Sequence, residues 1–242
     1  MTRAAQAAAV AACAVAVAAW AQAGAQITAF SSLPPGDLAP PWRLVTLARI
    51  KPSQIALVPD AGTTVLWVRS PAASASAAHA LDVSPRGLAL AWRWKIDRVV
   101  ETADMTRKSG DDYAARVYVF FDVPASQLPL ATWLKLKAYR IIYGKDLPTA
   151  AICYVWDNRH PVGTTQWNAY TERVRMIVLR SGNREAGAWR EERRDIEADF
   201  RAAFAADGDP PRVTGVAAGS DTDQTGDTVT AWFGDLRLEP LR

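Results

Sequence analysis

Histidine and cysteine are nearly missing from this chain: of 242 residues, two are His and two are Cys. His79 lies in a Ser-Ala stretch and His160 in the turn DNRHPVG, and neither has an acidic or cysteine partner at ligand spacing. That excludes a zinc site of ordinary make-up, and both are expected to be surface loop residues. No G-x-S-x-G, P-loop or G-x-G-x-x-G stretch occurs, so a nucleophile elbow or nucleotide site has no direct support. An excess of one charge is also lacking. The 28 Lys and Arg against 25 Asp and Glu leave a net charge of +3, with no basic run, and no nucleic-acid partner is expected.

Long apolar runs are confined to the first residues. Met1-Thr2-Arg3 supplies one positive charge, Ala4–Trp20 is almost without polarity, and Ala23-Gly24-Ala25 is a small-residue exit. This is the pattern of a secretory signal peptide over residues 1–25. Its alanine-dominated stretch is too weakly hydrophobic to read as a membrane span. Cleavage is expected after Ala25, with Ala23 the second choice. Lipid attachment at Cys13, after Val10-Ala11-Ala12, is the competing reading, but it leaves an apolar region of only about nine residues. The protein is therefore expected to be exported, periplasmic or secreted, with no transmembrane segment after the signal. Only Cys153 would remain, which excludes an intramolecular disulfide. It sits in the apolar stretch AAICYVW, as a buried inert thiol would.

What is present in quantity is alternation. Leu88, Leu90, Trp92, Trp94 and Ile96 share one parity, and Ala89, Ala91, Arg93, Lys95 and Asp97 the other. Tyr113, Ala115, Val117, Val119 and Phe121 likewise oppose Asp112, Ala114, Arg116, Tyr118 and Phe120. A period of two is that of a strand with a buried and a polar face, which places Trp92 and Trp94 in the core. Further strands are expected at Trp42–Ile50, Thr64–Ser70, Ala151–Asp157, Val174–Ser181, Val213–Gly219 and Thr228–Glu239, from their β-branched and aromatic content. Helices are expected at Leu130–Tyr143, stopped by Gly144, and where Ile196, Phe200, Ala203 and Phe204 fall at helical spacing. The stretch Ser70–Ala80, SPAASASAAHA, reads as an exposed connection or weak strand. Many short strands and few helices predict a single domain, 26–242. Its fold class is mainly β, an antiparallel two-sheet β-sandwich of jelly-roll type with one or two short helices.

Two stretches carry chemistry. In SDTDQTGD, Asp221, Asp223 and Thr225 occupy positions 1, 3 and 5 of a calcium loop and Gly226 position 6, but position 12 is Trp232 in place of the bidentate Glu. The helix–loop–helix calcium motif is thereby excluded. Calcium could still bind if a distant carboxylate such as Asp227 or Asp235 closed the site. A solvated hairpin turn accounts for the same residues, and no cofactor is otherwise expected. The second stretch is the polar parity of the two clearest strands. If they are neighbours, Arg93, Lys95, Arg116, Tyr118 and Phe120 form one cation–aromatic face suited to an acidic or planar-faced ligand such as a sugar chain. An ordinary covered face, with Arg116 paired to Asp111 or Asp112, is the competing reading.

Five stretches, LAWRWKI, GDDYAARVYVFF, CYVW, GAWREERRDIEADF, and SDTDQTG followed by FGDLRL, resemble a family of bacterial exported proteins known only as domain of unknown function 3047. The resemblance spans most of the chain after the signal. It implies no activity and no catalytic residues. The reading that results is a non-catalytic exported sandwich that binds a carbohydrate or cell-envelope component. Its rivals are a polysaccharide lyase or hydrolase, with Arg116 neutralising a uronate and Tyr118 moving the proton, and a structural envelope subunit.

Overall fold

A computed structural model describes residues 25–47, 49–124 and 149–241. The expected helix at Leu130–Tyr143 and nearly all of the signal segment lie outside the described residues. Two sheets face each other. The seven-stranded sheet runs in the order β1 (Arg43–Thr46), β4 (Ser74–Val83), β11 (Arg212–Asp221), β6 (Tyr113–Asp122), β7 (Ala150–Asp157), β9 (Thr171–Ser181) and β8 (Thr165–Asn168). The six-stranded sheet runs β10 (Arg190–Asp195), β5 (Leu88–Ile96), β12 (Thr228–Phe233), β3 (Thr63–Pro71) and β2 (Gln54–Asp60), with β13 (Arg237–Pro240) also on β5. This is the expected two-sheet sandwich, with one departure: β9 lies parallel to β7. The chain leaves β7, forms the edge strand β8, and turns back as β9 between them. Two reversals restore the original direction.

The core between the sheets is aromatic. Trp92 and Trp94 point inward as their parity requires, at 1% and 0% exposure. Trp92 packs on Tyr154 at 5.2 Å and Trp94 on Trp156 at 5.8 Å. The one α-helix among the described residues, α1 (Ile196–Phe204), starts where Asp195 accepts a bond from the Ala198 amide (2.9 Å). That side-chain cap satisfies a helix-end donor. Phe200 fixes α1 to the core by packing on Phe121 at 4.6 Å.

Three local expectations are corrected. The Ser-Ala stretch is neither exposed nor weak: β4 lies inside the seven-stranded sheet, with Ala77 and Ala78 buried on opposite faces. Its small residues suit a close approach, because a Cβ at Gly219 would fall 2.1 Å from Ser76 Oγ. His79 on β4 is also buried, edge-on to Trp42 at 5.1 Å and bonded to the Thr28 amide (3.2 Å). Burial pulls its pKa below the ordinary value. The stretch Thr228–Glu239 is two strands, broken at Gly234-Asp235-Leu236.

Candidate functional site

Alternation fixes which face a side chain takes but not which sheet its strand joins. Strand β5 belongs to the six-stranded sheet and β6 to the seven-stranded one. Arg93 and Lys95 therefore lie on one outer face of the sandwich, and Arg116, Tyr118 and Phe120 on the opposite outer face. The five residues do not form one surface.

On the six-stranded sheet, Trp67 and Trp232 stand directly opposite on β3 and β12, and Trp232 stands opposite Lys95 on β5. Their neighbours Leu66, Val68, Ala231 and Phe233 point into the core, so the two indoles and Lys95 line the outer face in one row. Trp189, just before β10, completes it. The Lys95 ammonium lies 4.6 Å from the Trp232 ring centre and 5.0 Å from that of Trp189, and the Arg93 guanidinium lies 4.5 Å from Trp189. These are cation–π distances. All five residues are half-buried. Lys95 also pairs with Asp60, whereas Arg93 and the outward-facing Arg69 make no ion pair among the described residues.

Gly234 shapes this surface. Its amide donates to the Arg93 carbonyl (2.9 Å), and a Cβ there would lie 2.5 Å from Arg93 Cγ and 2.6 Å from Nε. The arginine thus lies flat across the glycine and onto Trp189. Gly234→Ala is expected to cost about 1–3 kcal/mol by overpacking, read from denaturant unfolding. An unchanged midpoint would show that Arg93 moves aside freely.

The opposite face is closed. Tyr118 and Phe120 stack with ring centres 5.6 Å apart inside a second apolar cluster with Cys153, Val155, Met176 and Val178. Tyr113 joins them against its expected parity. The β6–β11 pairing shifts between Arg116↔Gly219 and Tyr113↔Asp221. The extra residue on β6 is a bulge, which reverses the alternation beyond it, so that Ala114 and Ala115 both face the inter-sheet core. Arg116 is only 4% exposed and its guanidinium pairs with Asp221, not with Asp111 or Asp112. Beside it is a cavity of about 30 Å³, lined by Asp111, Tyr118, Asn168, Tyr170 and Gln224 among others. A space of this size holds a water or an ion. A uronate ring does not fit.

The SDTDQTGD stretch forms the turn expected of it, with Gly226 at φ +74° and exposed, but the turn is not a hairpin and its start is buried. It crosses from β11 in one sheet to β12 in the other, and Asp221 and Thr222 are buried. Asp112, remote in sequence, accepts bonds from the Gln224 amide (3.3 Å) and the Thr225 amide (2.6 Å). Asp112, Asp221 and Asp223 come together, with carboxylate oxygens within 4.8 Å of one another. Of the other two expected ligands, Thr225 stays beside this cluster, with its amide on Asp112, and Asp235 lies elsewhere. The Thr225 hydroxyl accepts from the Asp227 amide (3.4 Å), and Asp235 accepts from the Ser31 amide and hydroxyl (2.9 and 2.6 Å). Asp227, the other closing carboxylate considered, pairs with Arg98. Burial raises the pKa values of Asp111 (to about 6), Asp112 and Asp223, with Arg116 opposing the rise in each.

The sequence pointed to Arg93 and Lys95 but missed Trp67, Trp189 and Asp112. Trp67 had a usable signal, since it alternates out of phase with Leu66 and Val68. Asp112 had none, because its partners are more than a hundred residues away.

Fold and surface together define a two-sheet β-sandwich of jelly-roll type that carries a cation–tryptophan face. A family model described as "Protein of unknown function (DUF3047)" matches residues 40–237, and the chain belongs to that family. No curated protein matches it. Among solved structures, the chain is similar to the xyloglucanase domain of NopAA, an effector from Sinorhizobium fredii in complex with cellobiose (9% identity, TM-score 0.44, 86% of this chain and 98% of that one). It is similar to the carbohydrate recognition domain of Emp47p (11%, 0.46, 89% and 94%). A third is the catalytic domain of Humicola grisea Cel12A (9%, 0.43, 82% and 92%). These are likenesses of fold alone. Among the described residues no helix is long and apolar enough to cross a membrane.

Proposed function

We propose that the protein is an exported, non-catalytic binder of an anionic polysaccharide, and that the chain lies across the outer face of the six-stranded sheet. The observation that carries this is the row Trp67–Trp232–Lys95 with Trp189 beside it. Indole faces stack against the C–H face of sugar rings while hydrogen bonds and ion pairs fix the polar groups. Adjacent strands are about 4.8 Å apart, close to the length of one hexose in an extended chain, so successive residues in the row can meet successive sugars. Arg69 and Arg93, without carboxylate partners among the described residues, favour a glycan that carries carboxylates over a neutral one. The row offers stacking and charge but no pair of opposed acids for hydrolysis.

The test is binding of the purified domain to immobilised uronate-containing and neutral polysaccharides. Retention on the acidic polymers that falls as salt rises is expected, with Arg93→Ala weakening it. Retention on neutral polymers alone would overturn the choice of ligand, and retention on neither would overturn the reading.

A further inference from the structure

We infer that Asp112, Asp221 and Asp223 hold a calcium ion that pins the β11–β12 crossover to β6. This site lies on the other sheet from the tryptophan row and does not depend on the carbohydrate reading. The three side chains reach one point from two separate parts of the chain, the start of β6 and the crossover itself. Their oxygens lie within 4.8 Å of one another. Two oxygens on opposite sides of a calcium ion are about 4.6–5.2 Å apart, twice its usual bond length, so each pair of these oxygens lies within the span of one ion. The donor set is oxygen only, without nitrogen or sulfur, which suits a hard cation.

Three acids in proximity are common without an ion, and two further observations point to one. First, Asp111, next in sequence to Asp112, is 7% exposed and has one oxygen without a hydrogen-bond partner among the described residues. Its other oxygen accepts from Asn168 (2.7 Å), and it lines the 30 Å³ cavity together with Asp221 and Gln224. Buried polar groups are rarely left without a partner, and a carboxylate oxygen can only accept. Second, Asp223 Oδ1 and Gln224 Oε1 are acceptors without partners, while Gln224 Nε2 is used, donating to Asp223 Oδ2 (2.6 Å); the neighbouring unpartnered groups, Tyr113 and Ser220, are hydroxyls that bring no positive charge. Orphaned acceptors from Asp111, Asp223 and Gln224 ask for something positive between them.

Arg116 does not fill that role. Among the described residues its guanidinium pairs with Asp221 alone of the four carboxylates. The amide bonds that Asp112 accepts from Gln224 and Thr225 leave lone pairs on both of its oxygens. A cation there joins the loop to the start of β6, and the missing twelfth-position Glu of the sequence motif is replaced by Asp112, the residue before that strand.

Thermal unfolding and calorimetric titration of the whole domain, with calcium against chelator, test this. At about a hundred-fold excess over the dissociation constant, calcium should raise the midpoint by roughly 5–10 °C for a domain of this size. One ion should bind per chain. Asp223→Asn, at the half-exposed member of the set, should still fold and lose most of the shift. Asp111→Asn gives an independent readout of opposite signs. It should raise the midpoint in chelator, where a buried charge is removed, and lower it in calcium. Absence of stoichiometric binding to the folded parent overturns the proposal, as does a calcium shift that persists undiminished in Asp223→Asn.

Discussion

Trp94→Ala is expected to lower stability by about 3–5 kcal/mol, with a fall in the thermal midpoint of roughly 10 °C or more for a domain of this size. Trp94 is fully buried between the sheets, packed edge-on to Trp92 at 5.6 Å and against Trp156 at 5.8 Å. Its indole N–H donates to Glu192 on β10 at 3.0 Å. Truncation opens a cavity the size of an indole in a core whose neighbours are themselves rigid rings, so little collapse can refill it. Glu192 keeps its bond from Arg180 (2.6 Å), and the cost is therefore mainly packing. Chemical denaturation, which gives midpoint and slope together, is the suitable readout. A loss below about 1 kcal/mol would mean that the inward parity of β5 is misassigned. Trp232→Ala provides the contrast. It removes the same side chain from the outer face one strand away and should cost much less stability.

Arg116→Ala, measured in chelator, is expected to cost about 3–5 kcal/mol, the usual effect of removing one partner from a buried ion pair. The guanidinium and Asp221 are both almost completely buried, and its loss leaves Asp221 without its partner, close to Asp112 and Asp223. Asp221→Asn in the same background should recover part of the loss, since it removes one of the stranded charges; a double-mutant cycle reads that coupling directly. If Arg116→Ala instead left stability unchanged and abolished ligand binding, the arginine would be a ligand contact on an open surface.

The two predictions mark how far the sequence reached. Strand β5 was legible because every second residue from Leu88 to Ile96 is large and apolar, and a half-buried strand needs no more than that. Helix α1 was legible from its helical spacing. Strand β4 was not, because alanine and serine carry little strand preference and their selection here reflects close packing against Gly219. Tyr113 was assigned to the wrong face because a bulge adds one residue to β6, and alternation cannot show that. The site was half legible for a topological reason. Arg93 and Arg116 both sit on polar parities, yet the chain passes to the other sheet between them, and only the strand order separates their faces. The loop at Asp221 was read as a turn correctly, but its start, Asp221 and Thr222, is buried where solvent was expected. Its partner, Asp112, immediately precedes β6 and lies 109 positions earlier in the chain.

The carbohydrate reading stands or falls on the tryptophan row. Its most direct test is isothermal titration of the parent and of the Trp67→Ala/Trp232→Ala double variant with an acidic polysaccharide fragment several sugars long. The expected result is measurable binding by the parent and a loss of at least about tenfold, or 1.4 kcal/mol, in the double variant, whose circular dichroism and cooperative unfolding are retained. Binding by the double variant equal to that of the parent would contradict the account, as would a parent that binds no such fragment.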